Sequence, residues 1–496
     1  MCSSKLNENM LFLRFYTHSH KPYVLKYLFC IITSTSIHSS VLHTYKKVSD
    51  WFNFFTGQKE ELKVGEFENL SNSSSPKTKE EIWKKEVPIP PFYFQPTLVD
   101  MLVPIKALHY KDYPYFADMP EEIRERIVAL LPIDLPLDLI SDLITEESYW
   151  KRRSLSRWRN VDIACHGDSW KQLYFERNLS EFIESYELTK DLKKDLQDLL
   201  RLSAAYVHNI NLQKLPSHLQ LLLINEELQW NLSTLKIEYG DPNACMSYDI
   251  KKIGMLNSDC ISMAAFCSVT HTLTELNLSS NALCDDHVLA LVDGMVQNPT
   301  IVNLDLSHNM ISDVGCEHLA RLLNAKNCIL LFLNLCNNQI KKMGTQAIGY
   351  SLSTNKSLLS LNLRLNDLGD YGGHRVFEYM MDNQVIQRLS MSATGFSVEG
   401  VEALTKLLHL PQSELQYLDI SANPGIGPAQ GQTIYAALVA KKKMKELHIK
   451  KCGIGVELEA QFDGLLQALN KGLPSSIIIK PISTISVSHY YMTANC

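Results

Sequence analysis

Histidine and cysteine are the side chains of this 496-residue chain best suited to catalysis or metal binding. The twelve cysteines are scattered, with no CxxC pair and no histidine partner at metal-ligand spacing. His308 and His448 fall on or beside predicted strands, where an isolated histidine is far more often a surface residue than a catalyst. The GxxxxGK(S/T), HExxH and GxSxG motifs are missing as well. We therefore expect no catalytic, cofactor-binding or metal-binding residues, and a nucleotide-driven sensor is disfavoured.

A cluster of cations in the segment ESYWKRRSLSRWRN, residues 147–160, could bind an acidic surface. Five cations occur within nine residues and are interleaved with two tryptophans: Lys151, Arg152, Arg153, Arg157 and Arg159. One candidate surface is the acidic tails of tubulin. The competing interpretation is a solvated helical face whose tryptophans turn into the core, which is the more common meaning of such a pattern.

The elements that would position these residues are set by a repeat between Leu273 and Cys452. Seven segments, from LTELNLSSN to MKELHIKKC, have large apolar residues at positions 1, 4 and 6. Position 9 recurs every 28 or 29 residues, at Asn281, Asn309, Asn338, Asn366, Thr394, Asn423 and Cys452. This is the long form of the leucine-rich repeat signature. Two degraded copies, VHNINLQKL and LSTLKIEYG, precede it, as expected where a stack must be capped.

A period of this length gives each unit a short strand and a full helix. The pattern resembles the ribonuclease-inhibitor class of leucine-rich repeat. That resemblance implies an α/β solenoid, a horseshoe with a parallel sheet on its concave side and helices on its convex side. Because side chains alternate along a strand, Leu304 and Leu306 should point inward and Asp305 outward. A small, mostly α-helical domain is expected before the solenoid.

Three positions after each strand have an expected role. The position-9 asparagine should bond backbone groups that the turn leaves free. An acidic residue four positions later suits a helix start, as at Asp285, Asp313 and Asp370. A glycine six positions after the turn residue should mark a close approach of helix and sheet backbones, as at Gly315, Gly344, Gly372 and Gly400.

The residues that flank the inward leucines should form a partner-binding concave face. Nine strands at ~4.8 Å spacing span on the order of 40 Å, enough for a standard protein interface. The candidates are Glu275, Asn277, Asp305, Phe332, Asn334, Asn362, Arg364, Arg388, Tyr417 and Asp419. Phe332, Arg364, Arg388 and Tyr417 are of the types that anchor protein interfaces. This stripe is not basic enough to follow a phosphate backbone.

Whole-chain composition is that of an ordinary soluble protein, with 45% hydrophobic and 21% charged residues. A net charge of −6 gives no general reason to bind nucleic acid. Cysteines inside the repeats favour a reducing compartment. Residues 23–42 are apolar but contain too many polar side chains for a convincing membrane span, so no membrane role is expected.

Four segments follow from these patterns. We expect a poorly ordered extension over residues 1–86 and a C-terminal tail over residues 475–496. Between them we expect an α-helical domain with a Pro-rich strip over residues 87–200, and the leucine-rich repeat domain over residues 201–474.

The block before the repeats carries a second resemblance. It reads FADMPEEIRERIVALLPIDLPLDLISDLITEESYWKRRSLSRW from Phe116 to Trp158, followed by WKQLYFERNL. Asp118 as N-cap, Pro120 and Glu121 predict a helix start within it. Together with the repeats, this block resembles the t-complex-associated testis-expressed family, subunit 5 of the nexin–dynein regulatory complex. The resemblance covers residues 87–472 in outline.

The resemblance implies a non-enzymatic structural subunit of the linker between doublet microtubules in motile cilia and sperm flagella. Such a linker aligns the doublets and regulates their sliding. The implied partners are other subunits of the complex, with tubulin as a further candidate, and the implied location is the axoneme. Two alternatives stay open. The layout is also similar to F-box substrate adaptors of cullin ubiquitin ligases, and Ran-type GTPase activators use the same repeat subtype.

Overall fold

The computed structural model describes residues 98–116, 119–185, 190–215, 221–228, 231–240, 254–441 and 443–471. The chain divides into two compact units, of which the first ends at Pro132 and the second begins at Ile133. The predicted extension over 1–86, the Pro-rich strip, Asp118 and the tail over 475–496 lie outside the described residues. The four predicted segment boundaries therefore stay predictions. No helix in these ranges has the length and apolar character needed to cross a membrane.

The described part of the first unit is a pair of helices, α1 (Leu98–Leu108) and α2 (Glu121–Leu130). Helix α2 begins directly after Pro120, whose fixed φ is compatible with a helix start. Arg126 of α2 forms an ion pair with Asp100 of α1. This pair helps to hold the two helices together.

The second unit opens with a helical block around a buried aromatic cluster. Its elements are α3 (Leu137–Ile140), α4 (Glu147–Arg157), a 3-10 turn (Ala164–His166), α5 (Trp170–Glu184) and α6 (Lys190–Ser203). Trp150 and Phe175 are fully buried, with ring centroids 5.3 Å apart. Burial of such large rings supplies much of the block's stability.

A parallel sheet follows, with its strands in the order of the chain. The strands are β1 (Asn209–Leu215), β2 (Thr234–Tyr239), β3 (Glu275–Asn277), β4 (Asn303–Asp305), β5 (Phe332–Asn334), β6 (Ser360–Asn362), β7 (Arg388–Ser390), β8 (Tyr417–Asp419) and β9 (Glu446–His448). Each strand pairs with the next in the same register from β2 onward. This arrangement confirms the predicted leucine-rich repeat solenoid.

The central leucines of the strands form one buried column. Register pairing joins Leu276, Leu304, Leu333, Leu361 and Leu418 through the strands between them, and none is more than 2% exposed. Because alternate side chains of a strand point to opposite faces, the residues on either side of each leucine point to the opposite face of the sheet. The alternation of apolar and polar residues along each strand thus gives the sheet one buried apolar face and one polar face.

Helices return the chain from each strand to the next and pack on one another, and the last helix follows β9. They are α7 (Leu221–Leu228), α8 (Asn257–Val269), α9 (Asp285–Met295), α10 (Asp313–Leu323), α11 (Lys342–Thr354), α12 (Gly369–Met380), α13 (Val398–His409), α14 (Gly427–Ala440) and α15 (Val456–Asn470). Their apolar stripes face the sheet, as Leu319 and Leu323 of α10 show by being 1% and 2% exposed.

The position-9 asparagines link neighbouring repeats as predicted. Asn366 is 1% exposed and donates from Nδ2 to the carbonyls of Leu335 and Leu363 at 2.8 and 3.0 Å. Its Oδ1 accepts from the amides of Asn338 and Ile340, both at 3.2 Å. One side chain thereby satisfies four backbone groups that the turns would otherwise leave buried and unpaired.

A second asparagine series, which sequence reasoning missed, satisfies carbonyls at the C-terminal ends of several helices. Asn355 donates to the carbonyl of Leu323 at 2.8 Å and accepts from the amide of Leu358 at 2.8 Å. Asn383 repeats this arrangement one unit later. In the last repeat Lys441 occupies the equivalent position, and its ammonium group donates to the carbonyl of Ser413 at 2.7 Å. Burial lowers the pKa of Lys441.

The acidic residues at helix starts act across repeats rather than within their own helix. Asp285 is the first residue of α9, but its carboxylate accepts from the amides of Ser312 and Gly315 at the start of α10, at 2.8 and 2.9 Å. The expected reason for the glycines was therefore wrong. A Cβ on Gly315 would lie 2.5 Å from Oδ1 of Asp285, so this glycine makes room for the carboxylate and not for the sheet.

Helix α5 covers the open edge of the first strand. Within the sheet, one carbonyl of each strand accepts two consecutive amides of the next, as the Ser233 carbonyl does at 2.8 and 3.0 Å. Among the described residues no strand precedes β1, and Oε1 of Glu176 accepts the amides of His208 and Asn209 instead, both at 2.8 Å. Glu184, two turns later on α5, accepts the amide of Gln213 at 2.7 Å. The helical block thus caps the solenoid.

Candidate partner-binding surface

The outward side chains of the strands form three rows across the sheet. The first row contains the first residue of each strand, so that Phe332, Ser360, Arg388 and Tyr417 stand side by side. The second row contains the third residue of each strand, and the third row contains the residue two positions further on. Since adjacent strands are about 4.8 Å apart, side chains in one row lie within reach of their neighbours.

A groove of about 410 Å³ lies between β5 and β9 on this face. Six of the predicted partner-binding residues line it: Phe332, Asn362, Arg364, Arg388, Tyr417 and Asp419. Ser360, Ser390, Ser421, Glu446, His448 and Lys450 complete most of its polar lining. Six of the ten predicted contact residues thus line a groove on the C-terminal half of the sheet, and their role in binding stays a prediction.

The acidic and amide residues of the second row serve the fold. Oδ1 of Asp305 accepts the amide of Ser307 at 2.9 Å, two residues further along the chain. The same bond, with lengths between 3.0 and 3.1 Å, occurs at Asn277, Asn334, Asn362 and Asp419. Each side chain fixes the turn that ends its strand. The backbone already uses one oxygen of each of these five predicted contact residues.

Asn277 is not available to a partner. It is 4% exposed, so the expectation that it faces solvent is wrong. Its neighbour Glu275 stays partly exposed, and burial raises the pKa of that carboxyl, with the charge of Asp305 acting in the same direction. Asn334 Nδ2 donates to Asp305 at 3.0 Å. This N-terminal part of the row is therefore a connected polar strip with few groups left for binding.

Arg388 and Tyr417 form the most ordered feature of the groove. The guanidinium carbon of Arg388 lies 3.8 Å from the centroid of the Tyr417 ring. Such a cation–π stack fixes the guanidinium plane and adds roughly 0.5–2 kcal/mol of attraction. Arg364, in the third row, is exposed, and the groove thus presents two arginines at different depths.

Ser390 and Ser421 hold the carboxylate of Asp419 by hydrogen bonds. The carboxylate of Asp419 accepts from the hydroxyl of Ser390 at 3.3 Å and from the hydroxyl of Ser421 at 2.6 Å. Sequence reasoning missed Ser421, although the signal was present. It occupies the same repeat position as Arg364, two residues after the strand.

The predicted basic cluster is dispersed by the fold. Arg153 is 8% exposed and donates to the Leu135 carbonyl at 2.8 Å, so its proposed contact with an acidic surface is wrong. Arg157 forms an ion pair with Glu181 at 2.5 Å. Lys151 lies over the Trp170 ring, 5.5 Å from its centroid. The tryptophan-inward interpretation therefore describes most of this helix, and a contact by Lys151, Arg152, Arg157 and Arg159 stays a prediction.

The described residues show no arrangement typical of an active site. Among them, no group of three or more His, Cys, Asp or Glu side chains lies close enough to hold a metal ion. Burial raises the pKa of the Cys260 and Cys267 thiols to about 12, so both are protonated at neutral pH. Nε2 of His448 lies 3.8 Å from the carboxylate of Glu446. His308 contacts the side chain of Asn337 at 2.9 Å.

Comparisons with known proteins agree with this architecture. The leucine-rich repeat family model matches residues 270–291, 297–320 and 354–373. Dynein regulatory complex subunit 5 of Chlamydomonas reinhardtii is 41% identical over 191 residues, which cover 38% of this chain and 49% of the relative. The Homo sapiens protein of the same name is 27% identical over 254 residues, covering 46% and 51%. Ribonuclease inhibitor of Sus scrofa is 24% identical over 181 residues, covering 36% and 39%.

These similarities confirm two predictions. The repeats are leucine-rich repeats of a kind shared with ribonuclease inhibitor, and the chain is similar to dynein regulatory complex subunit 5. The chain spans about half the length of the two subunit 5 relatives, at 49% and 51%.

Proposed function

We propose that this leucine-rich repeat protein, which resembles dynein regulatory complex subunit 5, is a non-enzymatic structural subunit of such a complex in the axoneme of motile cilia and flagella. The identity of 41% over 191 residues to the Chlamydomonas reinhardtii subunit is the observation that carries the proposal. In this role the chain binds neighbouring proteins and helps to align doublets while dyneins slide them.

The geometry of the solenoid supports a binding role without chemistry. A rigid parallel sheet presents a long row of side chains, which suits the recognition of an extended surface. The buried thiols are protonated, and the histidines beside the groove contact single side chains. We propose that other subunits of the complex are the partners of the concave face, and that neither nucleic acid nor membrane is.

Axonemal fractionation tests this function. The tagged full chain is expressed in ciliated cells, the membrane is removed with detergent, and the axonemes are extracted with salt. We expect the chain to remain with the axoneme until other subunits of the linker are released, and crosslinking mass spectrometry should then join it to those subunits. A chain that leaves with the detergent fraction, or that crosslinks to no axonemal protein, would refute the proposal.

The two alternatives make different predictions in the same material. An F-box adaptor would bind the Skp-type linker of a cullin ligase through its helical block, and a Ran-type activator would accelerate GTP hydrolysis by a small GTPase. The contacts of α4 and α5 do not favour the adaptor, because Trp150, Lys171 and Glu176 are occupied with packing inside the unit.

A further inference from the structure

The partner-binding face carries an uneven distribution of charge. On β2, β3 and β4 the outward ionisable residues are Lys236, Glu238, Glu275 and Asp305, so carboxylates are in excess. Within the groove the ionisable groups other than His448 are the cations Arg364, Arg388 and Lys450 and the carboxylates Asp419 and Glu446. The balance of charge therefore reverses along the sheet.

Cations outnumber carboxylates in the groove by three to two, and hydrogen bonds from the protein itself hold the carboxylate of Asp419 in place. Asp419 accepts from the Ser421 amide at 3.0 Å and from two serine hydroxyls. Glu446 lies at the far edge beside His448. The exposed guanidinium of Arg364 forms no ion pair with any residue that the structure describes. The field in the groove therefore attracts negative groups.

A slot over Ser360 can accept an apolar side chain of a binding partner. Ser360 lies between Phe332 and Arg388 in the first row, so two larger side chains flank a small one. Their strands are about 10 Å apart, which leaves space for one aromatic or branched side chain over the serine. One wall of the slot is the Phe332 ring and the other is the stack of Arg388 on Tyr417.

We propose that the groove binds an acidic extended polypeptide segment, with carboxylates opposite Arg364 and Arg388 and an apolar side chain in the slot over Ser360. This inference rests on the proposed function, since it specifies the chemistry of the partner that the concave face holds. Guanidinium groups pair with carboxylates through two parallel hydrogen bonds, which selects planar anions. Four strand spacings, roughly 19 Å, accommodate about six extended residues.

Peptide selection on the full chain tests the inference. The probe is a display library of random peptides of about ten residues, long enough to cross the groove at about 3.3 Å per residue. We expect the selected peptides to share aspartate or glutamate residues close to one aromatic or branched residue. Selection of basic or neutral peptides, or of none, would overturn the inference, and so would displacement of the peptides by a single-stranded oligonucleotide.

Variants assign the binding to the groove. Arg364→Gln combined with Arg388→Gln should weaken binding of a selected peptide by at least about tenfold. Ser360→Tyr fills the slot without changing charge and should have a similar effect. The matched controls are Arg321→Gln on the exposed face of α10 and Thr234→Tyr in the first row of β2, and neither should change the affinity. Unchanged affinity in both groove variants would overturn the inference.

The two proposals fail separately. If the chain is absent from axonemes but selects acidic peptides through the groove, the axonemal function is refuted and the groove assignment holds. If the chain is axonemal but the arginine double variant selects the same peptides as the unmodified chain, the groove assignment is refuted and the function holds.

Discussion

Removing the Glu176 carboxylate should release the first strand from its helical cap. Glu176 is 1% exposed, and its Oε1 accepts the amides of His208 and Asn209, both at 2.8 Å. A hydrogen bond to a charged group contributes roughly 1.5–3 kcal/mol. The change Glu176→Ala should therefore weaken local stability at β1 by about 3–6 kcal/mol, since both bonds to the strand are lost, and it also removes the contacts of Glu176 with His166 and Gln172 inside the helical block.

Hydrogen exchange of individual amides measures this effect. An opening free energy lowered by about 3–6 kcal/mol accelerates exchange by roughly two to four orders of magnitude. We expect the acceleration at residues 208–213 and much less of it at β8 and β9, because each repeat contacts only its neighbours. Glu176→Gln keeps an acceptor oxygen and should lose about 1–2 kcal/mol.

A charged residue on the same helix supplies the control. Glu181 has a side chain 41% exposed, and it pairs with Arg157 and accepts from the indole N–H of Trp158, so Glu181→Ala should cost about 1 kcal/mol and leave exchange at β1 unchanged. Two results would refute the reasoning about the cap. One is unchanged exchange at β1 in Glu176→Ala, and the other is equal acceleration from β1 to β9, which would mean that the carboxylate stabilises the whole chain rather than one edge.

Three further substitutions test the contacts between repeats, each by chemical denaturation. Asn366→Ala removes four hydrogen bonds inside the stack and should lower the free energy of unfolding by about 3 kcal/mol, whereas the exposed Asn327→Ala should change it by less than about 0.5 kcal/mol. Gly315→Ala places a Cβ 2.5 Å from a carboxylate oxygen and should cost about 1–3 kcal/mol, while Gly240→Ala meets nothing within 4 Å and should cost far less. Burial acts to raise the pKa of Asp370, but amide and hydroxyl donors of the next helix outweigh it and hold that pKa below its ordinary value. Its stabilisation is complete above the unfolded pKa and is lost as the pH falls through the folded one, so Asp370→Asn should lose stability at neutral pH and show a smaller further loss below about pH 4.

The fold was predictable because the same pattern of apolar residues recurs in every repeat. Large apolar residues at positions 4 and 6 fix which face of each strand is buried, and a constant spacing forces equivalent residues into register. Leu304 and Leu333 are paired in the sheet for this reason. The role of the position-9 asparagine was also predictable. A short amide side chain beside a turn can hydrogen-bond the buried backbone amides and carbonyls that the turn leaves unpaired.

Contacts between elements far apart in sequence were not predictable in the same way. Nothing local to Asp285 shows that its carboxylate reaches the next helix, 27 residues later, instead of its own. In the sequence Glu176 is indistinguishable from an ordinary glutamate on a helix, and its role as an acceptor for β1 appears only in the folded structure. Arg153 belongs to a basic run, yet the orientation of α4 sends it toward the Leu135 carbonyl. In each case tertiary packing decides between interpretations that the sequence allows equally.

Backbone conformation at the strand ends was also hidden from the sequence. His308 and Leu365 have φ values of 57° and 59°, in the left-handed region that bulky residues rarely adopt. Both are held there by backbone hydrogen bonds to the next repeat, from the His308 amide to Cys336 at 2.8 Å and from the Leu365 amide to Ser392 at 2.9 Å. The stacked neighbour compensates the local strain, so neither position needs a glycine.

The three rows of the concave face differ in how much their side chains contribute to the fold, and this difference explains which residues can determine binding specificity. Second-row side chains such as Asp305 and Asn362 hold the turn that ends each strand, and a change there would disturb the solenoid as well as the surface. The side chains of first-row residues such as Ser360 do not hold a turn, because the backbone of the strand is already paired with a neighbouring strand on each side. Residues of the first row can therefore change without loss of the fold. Phe332 and Ser360 do not hold a turn as Asp305 does, and this is why the groove between β5 and β9, rather than the polar strip before it, is the place to search for the partner.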